Sequence, residues 1–394
     1  MRVALVHMRH AHTGGTERYL NQTAAFLAER GDDVTIVCRS HEAPPHPAVQ
    51  FEELRPIAIG ATARMKTFAK AVEKHVKAAR YDVVYGLGKT WTHDVIRLGG
   101  GCQATYLELA HEATLEPWER ALRLKDGKHE AALEIEAKAL AKGAYRRVVV
   151  NSKLVGDDVV RRHGVPKEKV ALIYNGVDVE RFTPALRATK GAELRQELGL
   201  PADERVVLFL GSGYGRKGLD IVLDAFAQVA RAAKAAKAGT AHLLVVGYDS
   251  GAVRWEARAK ELGLANVVRF LGGRRDTETC YAAADLYVLP TRYDPFANTT
   301  VEALASGLPV ITTTTNGASE LIVEGQCGSV LPRADDVPAL ARALATWLAP
   351  ARLESGALAA RKLAEQHSAR SKCAQSAAVL DAVLKEKRAE PAGR

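Results

Sequence analysis

No apolar run in the sequence is long enough to cross a bilayer. The purest stretches, such as VVLFL at 206–210, are of strand length, whereas a spanning helix needs about 20 residues. Cysteine is scarce and unpatterned. Cys38, Cys102, Cys280, Cys327 and Cys373 are scattered and never in C-x-x-C spacing, which argues against a disulfide framework or a zinc site and for a reducing, cytoplasmic setting. The first apolar run stops at Val6, too short for the roughly 7–15 residues of a secretory leader. Asp-x-Asp occurs nowhere. Aromatics make up 6% of the chain and are not interleaved with a concentrated basic patch, so nucleic acid is not an expected partner. With 32 Gly, 15 Pro and 47% hydrophobic residues, low-complexity and disordered chains are excluded too.

What is present is an alternation. Short β-branched runs at 3–7, 34–38, 83–86, 147–151 and 170–175, and again at 206–211, 243–247, 267–272, 286–290, 309–313 and 328–332, are separated by Ala/Leu-rich stretches of helical period at 16–30, 61–80, 219–236 and 335–348. Near-continuous apolar strands between helices predict parallel sheets covered on both faces, and two sets predict two doubly wound α/β domains. The polar, proline-bearing segment 181–205 marks the break, dividing the chain into 1–183 and 184–369. An Ala-rich helical tail runs from about Leu353 to Lys387; its last part, about 370–394, is expected to pack back on the first domain. Ligands of such folds sit at the carboxyl ends of the strands, here in a cleft between the domains. The net charge of +9 favours anionic partners without selecting one.

Three loops carry glycines at such ends. Gly14-Gly15-Thr16 follows the first strand and opens a helix, a turn that lets backbone approach an anion but that many strand-to-helix connections share. Gly211-Ser212-Gly213-Tyr214-Gly215-Arg216-Lys217-Gly218 follows the first strand of the second domain. Its glycines, cation pair and following helix suit a diphosphate, although Arg216 stands where both G-x-G-x-x-G and a Walker A loop need glycine. Gly86-Leu87-Gly88-Lys89-Thr90 looks like half a P-loop, but Val83 occupies its first glycine position and the match is discarded.

Residues 290–322 combine two acids with a helix start. Asp294 lies in a loop after the strand ending at Pro290. A helix is predicted from Thr299 or Thr300 to Ser306, capped by Asn298 or Thr299 and stopped by Gly307, which puts Glu302 in its first turn. Two carboxylates can accept hydrogen bonds from sugar or ribose hydroxyls, while backbone N–H groups of 297–300 face an anion. Helix capping by acids explains either residue alone, but the whole constellation less well.

Here the sequence resembles the retaining glycosyltransferases of family 4, which have the GT-B fold. Asp294-x7-Glu302 ahead of Gly307-Leu308-Pro309-Val310 resembles their Glu-x7-Glu motif, and YNGVD (174–178), GSGYGRKGLD (211–220), LLVVG (243–247) and GGTER (14–18) recur in the family's order. The resemblance covers essentially the whole chain. It implies a metal-independent, cofactor-free hexosyltransferase that uses UDP-glucose or a similar nucleotide-diphosphate sugar, with a glycan or lipid-linked acceptor such as the lipopolysaccharide core. Arg216 and Lys217 would hold the diphosphate and aid its departure, Gly213 would belong to the same loop, Glu302 would hold the ribose, and Asp294 would contact the transferred sugar. Backbone at Ala297, Asn298 and Thr299 would meet sugar and phosphate oxygens, with Gly14 and Gly15 against the diphosphate from the first domain. The sequence departs from the family in two places: Asp294 is one methylene shorter than Glu, and the stretch 96–103 lacks the His or Asp that family members place near the anomeric centre. His93, Asp94 and His111 flank that stretch without aligning to it.

A basic helix face (Lys66, Lys70, Lys74, Lys77) and the residues Trp118, Arg120, Arg123, Lys125, Lys128, Arg146 and Arg147 fit peripheral contact with an anionic membrane, or equally a solvated face balanced by Glu73, Glu119 and Glu130. Alternative readings are a catalytically silent nucleotide-sugar-binding or scaffold protein, and a GT-B sugar-nucleotide epimerase. A phosphorylase would need a pyridoxal lysine that cannot be placed.

Overall fold

A computed structural model describes residues 1–12, 14–111, 127–201, 203–236, 239 and 241–390. The chain forms two compact units, 1–176 with 369–394, and 177–368.

In the first unit seven strands form one parallel sheet: β1 (Arg2–Val6), β2 (Asp33–Cys38), β3 (Gln50–Glu53), β4 (Val83–Gly86), β5 (Val95–Leu98), β6 (Arg147–Val150) and β7 (Val170–Leu172), in the order β3-β2-β1-β4-β5-β6-β7. Strands β3 and β5 are missing from the apolar runs of the sequence. β3 is an edge strand whose QFEE is nowhere fully buried, and β5 carries Arg97 in the middle of VIRL. The core of this sheet gathers Val3, Leu5, Leu20, Leu27, Ile36 and Tyr85, closed by Ala377, Leu380 and Val383 of the C-terminal helix Ala369–Ala389. Burying such side chains stabilises the unit by about 1.5–3 kcal/mol each. The helical tail is therefore two helices. Pro350–Glu365 ends at Gln366 and belongs to the second unit, while Ala369–Ala389 belongs to the first.

The second unit is a six-stranded parallel sheet of β8 (Arg205–Leu210), β9 (Ala241–Val246), β10 (Val268–Gly272), β11 (Leu286–Leu289), β12 (Val310–Thr313) and β13 (Gly328–Leu331), in the order β10-β9-β8-β11-β12-β13. The segment 181–205 is part of this unit rather than a linker. Arg187 and Arg195 both pair with buried Asp285, and Gly191 lies so close to the Ala282 carbonyl that an added Cβ would sit 2.4 Å from it. Helix Leu219–Ala235 turns Leu219, Val222, Leu223 and Phe226 inward, the three- and four-residue spacing of an amphipathic helix.

In each sheet the order reverses once, between β1 and β4 and between β8 and β11. In open parallel sheets the crevice outside such a switch point is where ligands bind. The loops after these four strands are therefore the places to look for chemistry.

Candidate nucleotide-sugar site

In the second unit the switch point is flanked by the loop 211–218 after β8 and the loop 290–297 after β11. They are tied together by backbone. The Arg216 carbonyl accepts from Arg292 N (2.9 Å), and Gly218 (φ +81°) packs on Pro290 so tightly that a Cβ would lie 2.2 Å from its carbonyl oxygen. Only glycine satisfies both the left-handed conformation and that contact. Arg292 clamps the same loop through the Gly215 carbonyl (2.5 Å) and a two-pronged pair with Asp220 at 2.9 and 2.6 Å.

This joint brings Arg216, Lys217 and Asp294 to one point. Lys217 Nζ pairs with Asp294 Oδ2, and Arg216 Nη1 reaches the same oxygen at 3.4 Å and the Tyr293 carbonyl at 2.8 Å. Asp294 Oδ1 accepts from Phe296 N at 3.1 Å. Burial alone would raise the Asp294 carboxyl, but Lys217 and Arg216 outweigh it and hold it below the usual carboxylate range. Lys217 is buried, and desolvation lowers its ammonium from the ordinary lysine value against the opposing pull of Asp294. Both oxygens of Asp294 are thus engaged by the protein's own donors. Arg216 keeps 26% of its side chain exposed and most of its five guanidinium donors unspent.

The second acid, Glu302, lies inside the helix Asn298–Ala305, past its first turn rather than in it, because the helix starts earlier than expected. Glu302 is 4% exposed and accepts from Tyr281 Oη at 3.0 Å. Thr299 Oγ1 lies 2.7 Å from Tyr287 Oη, which in turn donates to the Leu210 carbonyl at 3.0 Å. The helix begins one residue earlier than its sequence predicts, and neither Asn298 nor Thr299 caps it: the N-cap is Ala297, with no capping side chain of its own. Asn316 replaces that cap from across the sheet end. It is fully buried; its Oδ1 accepts from Ala297 N and Ala318 N, both at 3.1 Å, and its Nδ2 donates to Thr300 Oγ1 and Thr312 Oγ1, both at 3.0 Å. The N–H groups of Ala297 and Thr300 are therefore taken, the latter by the Ala297 carbonyl at 3.0 Å. The helix stops at Gly307 (φ +75°), where Leu308 N bonds back to the Ala303 carbonyl at 2.9 Å, as a glycine C-cap does.

Asn316, Tyr281, Tyr287 and Arg292 were not singled out from sequence. The only local signal is the Asn-Gly pair that ends the threonine run 312–315, a turn signature. Gly213 (φ +74°) opens the short turn carrying Arg216. Gly14 and Gly15 belong to the first unit. Gly14, at φ 113° and ψ 152°, adopts a backbone reserved for glycine ahead of helix Gly15–Glu29.

Two of the flanking residues, His93 and Asp94, are tied into the first unit's own hydrogen bonds. His93 is buried, with Nε2 3.1 Å from the Ala139 carbonyl, and burial pushes its imidazole down to about 4. Asp94 accepts from Val84 N (2.8 Å) and from Lys387 (3.0 Å). The side chain of His111 and residues Trp118, Arg120, Arg123 and Lys125 lie outside the described residues.

Two parallel sheets, each with glycine loops at its switch point and the second also carrying two cations and two acids there, define a two-domain Rossmann-like fold. Family models for "Glycosyltransferase Family 4" and "Glycosyl transferases group 1" match residues 13–181 and 191–360, and the chain belongs to the GT-B glycosyltransferases. It is similar to the lipopolysaccharide glucosyltransferase WaaG of Escherichia coli K12, at 26% identity over 81% of this chain and 82% of that one. The crystal structure of WaaG superposes with a TM-score of 0.78 at 24% identity, covering 96% of this chain and 99% of its own. Anabaena Alr3699/HepE, solved with UDP and glucose, superposes with a TM-score of 0.70 at 22% identity, covering 97% and 99%.

Proposed function

We propose that this chain is a retaining hexosyltransferase that moves glucose or a similar hexose from a UDP-sugar to a glycan or lipid-linked acceptor of the lipopolysaccharide-core kind, without a metal or other cofactor. The observation that carries the reading is the convergence of Arg216 and Lys217 on Asp294 at the second unit's switch point. Leaving-group departure builds negative charge on a diphosphate, and two preorganised cations in a partly dry site stabilise that charge more than water does. Asp294 opposes the desolvation that lowers the Lys217 ammonium, while Arg216 offers donors outward. In this reading Gly213 lets the loop approach the diphosphate, and Asn298 and Thr299 face sugar and phosphate oxygens beside Ala297. Glu302 holds the ribose, Asp294 meets the transferred hexose, and Gly14 and Gly15 lie against the donor from the first unit. The complexed Anabaena structure and the WaaG relative support UDP and glucose as the first donor to try.

Membrane contact is part of the same proposal. Ile57 and Ile59 are 97% and 93% exposed just ahead of helix Gly60–Ala79, whose Lys70 and Lys74 are exposed and make no ion pair among the described residues. Lys66 and Lys77 are balanced by Glu134 and Glu73. Among the described residues no helix is long and apolar enough to cross a membrane. The proposal places the enzyme at the cytoplasmic face of an anionic membrane.

The test is calorimetry with UDP, GDP and ADP and their glucose conjugates, on the native chain and on Arg216→Ala and Lys217→Ala. Proton NMR of the transferred anomeric centre and a chelator control complete it. Micromolar UDP binding lost in both variants, with a retained anomer and chelator-insensitive turnover, upholds the proposal. No nucleotide binding, an inverted anomer or a metal requirement overturns it.

A further inference from the structure

The glycine run after β5 leads into Cys102, which is fully buried and immediately precedes helix Gln103–His111. Its thiol meets two side chains from other parts of the first unit: Glu136, on helix Gly127–Ala139, and His163, the last residue of helix Lys153–His163. The sulfur, a Glu136 oxygen and a His163 ring nitrogen lie within 4.8 Å of one another, the one such group of three among the described residues. His163 Nε2 is 3.1 Å from Glu136 Oε1. A nitrogen and an oxygen on one tetrahedral zinc ion sit about 3.3 Å apart, and a sulfur about 0.2 Å further from either. Two of the three groups are therefore already at ligand spacing. The scattered cysteines exclude a site of paired thiols; this one takes a single thiol and completes it with a nitrogen and an oxygen brought in by the fold.

The three groups are themselves held in place. Both Glu136 oxygens accept from Gln103 N, at 3.2 and 2.9 Å, which orients the carboxylate and leaves it lone pairs to spare. The Cys102 thiol is hydrogen-bonded to the Asp158 carboxylate, which Arg161 and Arg162 steady at 2.6 and 2.8 Å. A cysteine that only fills space behaves as a small hydrophobe; Cys102 stands between two carboxylates. Burial, Glu136 and Asp158 together push its thiol up. The negative field that keeps a proton on the sulfur is one that a divalent cation satisfies in its place. The side chains of His163 and Glu136 are 18% and 11% exposed, which gives an ion a way in from solvent.

We propose that Cys102, Glu136 and His163 bind one divalent transition-metal ion, zinc by the ligand set, with water in the fourth position. Sulfur, imidazole and carboxylate together favour zinc over calcium and magnesium, which take oxygen ligands. On binding, the thiol proton leaves to solvent and the thiolate donates a lone pair to the ion; no electron is transferred. A proton on the coordinating His163 nitrogen leaves or shifts to the other ring nitrogen. The ion ties the end of the glycine run to two helices of the first unit. It owes nothing to the transferase reading and takes no part in the chemistry proposed for Arg216 and Lys217.

The test uses the full, untagged chain freed of metal by a chelator. Zinc is titrated in competition with a chromophoric chelator. Cobalt serves as a spectroscopic stand-in, because a cobalt–thiolate bond gives a near-ultraviolet charge-transfer band that histidine and carboxylate ligands do not. Expected are one zinc per chain, a cobalt band lost in Cys102→Ala, and a Tm that rises with zinc in the native chain. His163→Gln should bind zinc about tenfold more weakly or worse, since losing a ligand costs no less than losing a group that orients one. That variant keeps a donor for Glu136 at a partly exposed helix end, so it tests the site even if Cys102→Ala does not fold. No cobalt band in the native chain, or equal zinc binding in native chain and variants, overturns the proposal and leaves Glu136 and His163 an ion pair only. Zinc binding that survives Arg216→Ala, beside UDP binding that survives chelation, places the ion outside the donor site; UDP binding lost on chelation overturns that assignment.

Discussion

Asp294→Asn isolates the charge balance of the donor site with almost no change of shape. In the native chain Lys217 is 7% exposed and its ammonium is compensated by Asp294, whose side chain is 13% exposed. Removing the negative charge leaves two cations side by side, one of them buried. Breaking a buried pair from one side costs about 3–5 kcal/mol, and the lower end applies because an amide oxygen still accepts from Lys217. The pH dependence follows from the two directions. The Asp294 carboxyl is held below its ordinary range, so its contribution to stability is present at neutral pH and lost as pH falls through that depressed value. Lys217 is also held below its ordinary value, so its charged form opposes folding at neutral pH, and stability returns as pH climbs through its folded value. The variant deepens the second effect and lacks the first. Its deficit of about 3 kcal/mol should be largest near neutrality, shrinking as pH rises toward the ordinary lysine range and again below the carboxylate range. Urea unfolding followed by tryptophan fluorescence measures this, with Trp91 and Trp118 replaced by Phe so that the signal comes from Trp255 and Trp347 of the second unit. Adding Lys217→Met should restore most of the loss. A deficit under about 1 kcal/mol at pH 7, or a double variant no better than the single, would refute the buried-pair argument.

Three further outcomes are expected. Gly218→Ala should lower Tm far more than Gly213→Ala: both residues have positive φ, but a Cβ at Gly218 strikes the Pro290 carbonyl at 2.2 Å, while at Gly213 it meets nothing within 4 Å and costs only about 1–2 kcal/mol of left-handed strain. Asn316→Ala strips four hydrogen bonds from a fully buried position. It should cost on the order of 2–4 kcal/mol by urea unfolding and weaken UDP binding in calorimetry, because the start of helix Asn298–Ala305 loses its anchor; unchanged values in both assays would contradict its role. Ile57→Ser with Ile59→Ser should reduce co-sedimentation with anionic vesicles severalfold while leaving UDP binding intact, and equal sedimentation would remove these residues from the membrane reading.

The sequence by itself determined the architecture. Eleven of the strands announce themselves as apolar runs because parallel strands are buried on both faces, and the two that do not, β3 and β5, lie at an edge or carry a buried arginine. It also picked out Arg216, Lys217, Asp294 and Glu302, since glycine loops, paired cations and spaced acids are local patterns. Only the tertiary structure decided how those residues are used. Lys217 and Asp294 are 77 positions apart, so nothing local reveals that they neutralise each other. The helix cap comes from Asn316, 19 residues beyond Ala297, because β12 returns the chain to the same sheet end. The tail divides at Gln366–Ser368 because its halves bury their apolar faces against different cores. Lys89 and Thr90, discarded in sequence as half a P-loop, line one cavity with Arg97 because β1, β4 and β5 lie side by side in the sheet. Local pattern specifies which elements form; the convergence of their carboxyl ends, set by strand order, specifies which side chains meet.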